Sequence, residues 1–334
     1  RLDEQAAAFL CAALRRLDVF QQAGEERTIE GLIAAGGILP KYGKVLRRWL
    51  EALREEGLVE RHGETWVARE PLPPPAFEAL TTDEQRTYYG ENLTAVLTGR
   101  VHPLEFYLRG GSSTSVESSY RVLPIFRYCN GISAAVLEAQ VRALPAGTRL
   151  RILEIGAGTG GTTASLLPLL PAQRTVFHFT DVSKFFTDMG RKKFQELPFV
   201  RYRELDIEKD PAEQGYPPAS FDWVVAAHVL HATRSIAETL AHVRQLLAPG
   251  GGLLLLEETR FQRKYNFSMG FLPGFDNFAD YGLRPLHPLL SSEQWGKALG
   301  AAGFTDFATF TEPGSAAEVM GVDVMLARAP GGNR

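Results

Sequence analysis

The residues most suited to chemistry in this chain stand in one glycine-rich segment, Leu153 to Gly161. An apolar run, Leu150 to Ile155, ends at these glycines, and an apolar helical pattern begins at Thr162. This order predicts a strand, a tight turn and a helix, because glycine lets the backbone turn sharply and approach a ligand closely. The amino-terminal end of such a helix offers unpaired N–H groups to an anionic part of a ligand.

The glycines alone leave two ligand classes open, a nucleotide's phosphates and the carboxylate end of S-adenosylmethionine. Gly156, Gly158 and Gly161 satisfy the dinucleotide pattern G-x-G-x-x-G, while Gly156, Gly158 and Gly160 satisfy G-x-G-x-G. Glu154 lies inside the preceding strand. A buried acid there needs a hydrogen-bond partner, such as loop amides or a ligand's amino group.

Two further acids follow predicted strands and favour S-adenosylmethionine. Asp181, followed by Val182, ends the second apolar strand, where an acid would bind ribose hydroxyls. Asp206 and Ile207 follow the third strand, where a carboxylate can meet an adenine amino group and the apolar side chain can cover the ring.

Histidines and acids follow the next two predicted strands. His228 and His231 come after the fourth strand, and Glu257 and Glu258 come after the fifth. Neighbouring strand ends bring these groups into one cleft, and a histidine oriented by a carboxylate is a common proton acceptor. Alternation along a strand predicts that Glu258 points away from Glu257 and is solvated.

The order of the segments predicts an α/β fold, with a doubly wound, mostly parallel Rossmann-like sheet over residues 149–334. Residues 1–75 show helical apolar spacing and then a small hairpin, which resembles a winged-helix region followed by a proline-rich linker. Residues 76–148 read as long helices and are predicted to form a lid, in which Tyr128 and Asn130 are candidates to face the substrate.

Together these segments resemble a class I S-adenosylmethionine-dependent methyltransferase. Narrower motifs look like the methyltransferase domains of modular polyketide synthases, namely Phe179-Thr-Asp-Val-Ser183, Leu205-Asp-Ile-Glu-Lys-Asp-Pro211, Val229-Leu-His-Ala-Thr-Arg234 and Leu289-Leu-Ser-Ser-Glu-Gln-Trp295. The resemblance implies that the cofactor S-adenosylmethionine is bound by Glu154, Gly156, Gly158, Gly160, Asp181, Val182, Asp206, Ile207 and His228. It also implies that His231 is the catalytic base and Glu257 its paired acid, with His228 standing where the family commonly has Asn.

The resemblance further implies a substrate and partners. An acyl chain would arrive as a thioester on the phosphopantetheine arm of an acyl carrier protein, beside neighbouring polyketide synthase domains. Carbon-methylating synthase domains commonly carry a Gly-Trp-Trp pair where this chain reads Gly274-Phe-Asp-Asn-Phe278. This difference favours O-methylation of a β-hydroxyl or an enolised β-keto group, which Asp276 would orient. The alternative is C-methylation of the α-carbon of a β-ketoacyl chain.

Charge and composition limit the other functional classes to which the chain could belong. The 334-residue chain has a formal net charge of −3, which favours neither nucleic acid nor membrane as a partner. Two cysteines without metal-ligand spacing suit a reducing cytoplasm and predict no metal site. A winged-helix DNA-binding regulator with a ligand-sensing methyltransferase-like domain is an alternative of another class, and a nicotinamide-dependent dehydrogenase is a more distant one. The regulator would read DNA with one basic helix that carries Lys41, Lys44, Arg47 and Arg48.

Overall fold

The computed structural model describes residues 5–74, 92–103, 105, 124–272 and 274–331, which fall into two compact units. The first unit takes the described residues of 1–112, 261–277 and 281–288. The second takes those of 113–260, 278–280 and 289–334. The predicted methyltransferase core of 149–334 is therefore interrupted, because two stretches that follow its fifth strand belong to the first unit.

In the part of the chain that the structure describes, the first unit combines short helices with a small antiparallel sheet. The helices are α1 (Ala6–Arg16), α2 (Ile29–Gly36) and α3 (Gly43–Glu55), with 3₁₀ turns at Pro40–Tyr42, Arg263–Phe267 and Met269–Phe271. The strands pair in the order β1–β3–β2, with β1 at Glu26–Arg27, β2 at Val59–His62 and β3 at Thr65–Ala68. Helices followed by this hairpin agree with the predicted winged-helix-like arrangement.

Apolar packing explains why residues 261–277 join the first unit. The Trp49 indole is fully buried, and its Nε1 donates a hydrogen bond to the Asn266 carbonyl at 2.7 Å. Its ring meets Phe271 edge-on at 6.2 Å between centroids, and Phe9 lies 5.0 Å from Phe267. These rings belong to the buried apolar cluster of the first unit, and burial of apolar surface is the main favourable term in folding.

A seven-stranded sheet forms the centre of the second unit, in the order β6–β5–β4–β7–β8–β10–β9. Strand β10 runs antiparallel to β8 and β9, and the remaining neighbours are parallel, which confirms the predicted mostly parallel Rossmann-like sheet. The strands are β4 (Leu150–Ile155), β5 (Thr175–Asp181), β6 (Val200–Glu204), β7 (Phe221–Ala227), β8 (Leu247–Glu258), β9 (Thr305–Thr309) and β10 (Val322–Arg328).

Helices accompany this sheet in the second unit. They are α4 (Pro124–Arg142), α5 (Gly161–Leu166), α6 (Lys184–Lys193), α7 (Ile236–Leu246), α8 (Ser292–Ala301) and α9 (Ala316–Met320). Helix α4 matches the second long helix of the predicted lid, and most of the first long helix lies outside the described residues. Of the helices that can be searched in the described ranges, none has the length and hydropathy needed to cross a bilayer.

The strand order locates the ligand site. Strand β4 is flanked by β5 on one side and by β7 on the other, so the order reverses at β4. In open α/β sheets, ligands bind at the carboxyl ends of the strands on either side of such a reversal. A ligand site is therefore expected at the carboxyl ends of β4, β5, β7 and β8.

Candidate active site

Strand β4 delivers the glycine loop to the carboxyl edge of the sheet. Gly156, Gly158 and Gly160 have φ angles of +60°, +53° and +71°, in the left-handed region that side chains rarely adopt. A Cβ atom on Gly156 would collide with Val229, and one on Gly160 would lie 2.8 Å from the ring of Phe194. The conformation of the loop therefore requires glycine at these positions.

The loop closes one side of a cavity of about 210 Å³ in the second unit. Glu154, Gly156, Gly158 and His228 line it as predicted for the cofactor site, and so does Asn130. The remaining lining residues are Phe126, Ala157, Thr159, Gly161, Thr162, Phe186 and Ala227. Phe186 was not predicted. The signal that could have found it is an aromatic residue in the first turn of α6, just after the acid that ends β5.

Glu154 is a buried acid with a shifted proton affinity. Its carboxylate accepts a hydrogen bond from the Thr163 hydroxyl at 2.5 Å, and the residue is 1% exposed. Burial raises the pKa of Glu154 to about 8, while the Thr163 hydrogen bond opposes the rise and the Asp181 charge adds to it. A ligand cation bound beside this carboxyl group would favour its ionised form.

Asp181 ends β5 and is held by the backbone. Its Oδ2 accepts a hydrogen bond from the Gly158 N–H at 3.0 Å, and its Oδ1 accepts one from the Ser183 N–H at 2.8 Å. Burial raises the pKa of Asp181, and these two hydrogen bonds limit the rise. The carboxylate is thus fixed against the glycine loop, as its predicted ribose role requires. The adjacent Val182 is 68% exposed.

Asp206 and Ile207 follow β6, at the next strand end. The Asp206 carboxylate pairs with Lys209 at 2.9 Å, and the Ile207 carbonyl lies 2.7 Å from Nδ1 of His242. Neither residue lines the cavity, and the same holds for Gly160, Asp181 and Val182. The roles of these five residues in cofactor binding stay predictions, as do those of Glu154, Gly156, Gly158 and His228, which line the cavity.

His231 and Glu257 form the pair that the sequence predicts. The His231 ring lies in a 3₁₀ turn after β7, and its Nδ1 is 2.5 Å from Glu257 Oε2. The other carboxylate oxygen accepts hydrogen bonds from the N–H groups of Val229 at 3.1 Å and Leu230 at 2.8 Å. Both side chains are buried. A carboxylate fixed in this way orients the imidazole and stabilises it when Nε2 accepts a proton.

A second pair, His228 and Glu258, corrects one prediction. Glu258 was expected to be solvated, but it is 3% exposed, and its Oε2 lies 2.8 Å from Nδ1 of His228. The His228 ring packs edge-on against Phe126 of α4 at 5.4 Å between centroids. The end of β8 is buried on this side as well, because a parallel sheet is covered by helices on both faces. A Glu-Glu doublet opposite two histidines three residues apart is the signal that was missed.

Each member of the His228–Glu258 pair shifts the pKa of the other. Burial disfavours the imidazolium, but the charge of Glu258 and its hydrogen bond outweigh that effect, so the pKa of His228 is raised. In the same way, His228 overcomes the burial of Glu258 and lowers the pKa of that carboxyl to about 2. Both shifts favour the charged forms of the two side chains.

The three predicted substrate residues differ in their surroundings. Asn130 is buried beside the cavity, and its Oδ1 accepts a hydrogen bond from the Thr162 hydroxyl at 2.9 Å. Tyr128 is 41% exposed and does not line the cavity. Asp276 belongs to the first unit, where its carboxylate forms an ion pair with the buried Arg48 guanidinium. This carboxylate is engaged within its own unit and is not free to orient a hydroxyl, as the sequence had suggested.

One group among the described residues has the composition of a metal site. Ligand-type atoms of His228, Glu257 and Glu258 lie within 4.8 Å of one another. Two of these residues already pair with each other, and Glu257 pairs with His231. Hydrogen bonding thus accounts for all three, and the predicted absence of a metal stays a prediction.

Comparisons with known proteins place this geometry in a family. The family described as "Methyltransferase domain" matches residues 153–253, from the glycine loop to β8. Over 329 residues, or 91% of the chain, the sequence is 32% identical to the polyketide synthase ThaQ of Burkholderia thailandensis. The chain spans 16% of the length of that synthase.

Two solved structures match nearly the whole chain. The CurJ carbon methyltransferase superposes with a TM-score of 0.89 and 33% identity, covering 98% of this chain and 91% of that one. The DszA carbon methyltransferase superposes with a TM-score of 0.85 and 28% identity, covering 100% of this chain and 90% of that one.

Proposed function

Because the chain belongs to the S-adenosylmethionine-dependent methyltransferase domains related to the carbon methyltransferases of polyketide synthases, we propose that it methylates the α-carbon of a β-ketoacyl chain. The acyl chain would be held as a thioester on an acyl carrier protein. The observation that carries the proposal is the buried His231–Glu257 pair, which lies at the strand ends next to the glycine loop.

The residues around the cavity suit the cofactor. The glycine loop lets the backbone line the cavity closely, and Glu154, whose pKa is raised, can pair with a ligand ammonium group. Asp181 supplies fixed acceptors for ribose hydroxyls. When bound, S-adenosylmethionine supplies an electrophilic sulfonium methyl group.

The His231–Glu257 pair would supply the base. A β-ketoacyl thioester has an acidic α-C–H bond, and Nε2 of His231 can take that proton while Glu257 supports the resulting imidazolium. The electron pair left on the α-carbon would form the new C–C bond with the methyl group while the methyl–sulfur bond breaks, and the electrons of that bond would stay on the sulfur of the departing S-adenosylhomocysteine. No metal takes part in this sequence of steps, and the protein's task is to position and deprotonate the acceptor.

Two observations favour the α-carbon over oxygen as the acceptor. The two solved structures described above are carbon methyltransferases by name. The argument for O-methylation rested on the missing Gly-Trp-Trp pair and on Asp276 as the residue that orients a hydroxyl, and the Asp276 carboxylate pairs with Arg48. O-methylation of a β-hydroxyl therefore loses one of its two supports.

The DNA-binding alternative depends on four basic side chains of one helix, and two of them are engaged elsewhere. Arg48 is 2% exposed, and the Lys44 ammonium donates to the Asp276 carbonyl at 2.7 Å. These two side chains therefore make contacts within the first unit, whereas a recognition helix would present them to DNA.

One labelling experiment tests the proposal. The protein is incubated with S-adenosylmethionine carrying a ¹³C-methyl group and with two carrier proteins, one loaded with a β-ketoacyl chain and one with the matching β-hydroxyacyl chain. The proposal predicts that only the β-ketoacyl chain gains mass, and that the ¹³C shift is that of a carbon-bound methyl group. An oxygen-bound methyl on either chain would establish O-methylation. No transfer to either chain, in a protein that binds the cofactor, would contradict both.

A further inference from the structure

The second buried pair, His228–Glu258, has no part in the proton transfer described above. Its two side chains are 10% and 4% exposed, and they lie 2.8 Å apart. Backbone geometry holds His228 in place, since its φ of +54° is in the left-handed region and its N–H donates to the Leu256 carbonyl at 2.7 Å. A left-handed conformation at a non-glycine residue is costly unless the surroundings enforce it.

This pair sits in a cluster of titratable groups. Glu257 and His231 influence the charge of His228, and His231 also influences that of Glu258. On α4 and β10, Cys129 and Asp323 also belong to this cluster, and the pKa of the Cys129 thiol is raised to about 12 by burial, then by Asp323 and Glu258. Cys129 is therefore neutral, and Asp323, which stands opposite Glu257 in the β8–β10 pairing, accepts a hydrogen bond from the Ser292 hydroxyl.

We propose that His228 and Glu258 are a positioning pair for the His231–Glu257 dyad, and this rests on the proposed function of that dyad as the base. His228 balances the charge of Glu258, a second buried carboxylate with one oxygen within 4.8 Å of an oxygen of Glu257. The proton affinity of the His231 imidazole is then set mainly by one uncompensated negative charge, that of Glu257. The dyad keeps a proton affinity at which its imidazole is neutral before it accepts the substrate proton.

Removal of only one partner should disturb this balance. Without His228, the Glu258 carboxylate becomes an uncompensated charge next to the dyad and holds a proton on His231. A unit charge about 5 Å away, at an effective dielectric of about 20, changes a proton equilibrium by roughly two hundredfold, or about two pH units. Removal of both charges together should restore the original condition.

The test is an NMR titration of the His231 imidazole in the whole chain, which needs no turnover. The variants are His228→Asn, Glu258→Gln and the double variant, with His231→Asn used to assign the resonance. Asn is chosen at 228 because it tolerates left-handed backbone, and His228→Gln is the substitute if that variant does not fold. Glu138→Gln, which removes an exposed carboxylate paired with Arg142, is the matched control.

The proposal predicts that the His231 titration midpoint rises by about two pH units in His228→Asn, does not rise in Glu258→Gln, and returns to the parent value in the double variant. The acid limb of the pH–rate profile for methyl transfer should move in parallel. An unchanged midpoint in His228→Asn, or an equal rise in the double variant, overturns the proposal. If the titration follows the prediction while no carbon-methylated product forms, the pairing stands and the proposed acceptor fails.

Discussion

Nδ1 of His231 lies 2.5 Å from Oε2 of Glu257, and the opposite oxygen of that carboxylate is held by backbone N–H groups of the turn that carries the histidine. The acid thus fixes both the ring and the turn that presents it. The side chains come from two neighbouring parallel strands, β7 and β8, whose carboxyl ends meet at this point. The arrangement leaves Nε2 as the basic nitrogen of the pair.

Replacement of Glu257 by glutamine should slow methyl transfer by about 10²-fold or more, because the amide cannot stabilise an imidazolium as a carboxylate does. Cofactor affinity should stay unchanged. Rapid-quench kinetics with saturating S-adenosylmethionine measures the first quantity and calorimetry the second. A variant that transfers methyl groups at the parent rate would show that the charge of Glu257 has no role in the chemistry.

Asp181→Ala should weaken S-adenosylmethionine binding by about 1–3 kcal/mol, the usual loss for charge-assisted hydrogen bonds. The matched control is Asp188→Ala in α6, whose carboxylate is exposed and pairs with Lys184. Calorimetry should find the control equal to the parent protein. Equal affinities for both variants would remove Asp181 from the cofactor site.

Glu154 should make stability depend on pH. Its pKa is about 8 in the folded protein, above the ordinary glutamate value of 4.5 that applies in the unfolded chain. Between these values the unfolded chain is ionised at this position and the folded protein is protonated, so stability falls as pH rises through this window. Glu154→Gln should flatten the fall in unfolding temperature between about pH 5 and pH 8. The same slope in the variant and the parent would refute this assignment.

Asp276→Ala should destabilise the protein by about 3 kcal/mol, because it leaves the buried Arg48 guanidinium without its partner. Glu64→Ala is the control, since Glu64 is largely exposed and its ion pair with Arg47 should contribute less than about 1 kcal/mol. Chemical denaturation compares the two. If Asp276→Ala instead keeps its stability and loses methyl transfer, the residue serves the substrate.

The sheet and the His231–Glu257 dyad could be predicted because their signals are local. Apolar runs ending in glycine or acid define strands such as β4, and the ends of parallel strands meet at one edge. The burial of Glu258 could not be read this way. It depends on α4 covering that face and on the left-handed turn at His228, which alternation along a strand does not encode.

In the first unit, local sequence patterns fail to predict contacts between distant parts of the chain. Arg48 and Asp276 are 228 positions apart, and nothing in the spacing of either segment signals that they pair. The same tertiary packing carries residues 261–277 out of the predicted core and into the first unit. Contacts between residues this far apart in the sequence depend on three-dimensional packing, and they leave no local pattern from which they could be predicted.

The measurement that tests the central claim most directly is the single-turnover rate of methyl transfer to a β-ketoacyl carrier protein by His231→Asn, with calorimetry confirming that the variant still binds S-adenosylmethionine. The dyad account predicts normal cofactor affinity and a rate lower by about 10²–10⁴, the usual contribution of a positioned base. It also predicts that the residual rate rises with pH, as hydroxide replaces the missing base. A variant that binds the cofactor and transfers the methyl group at the parent rate would contradict the account.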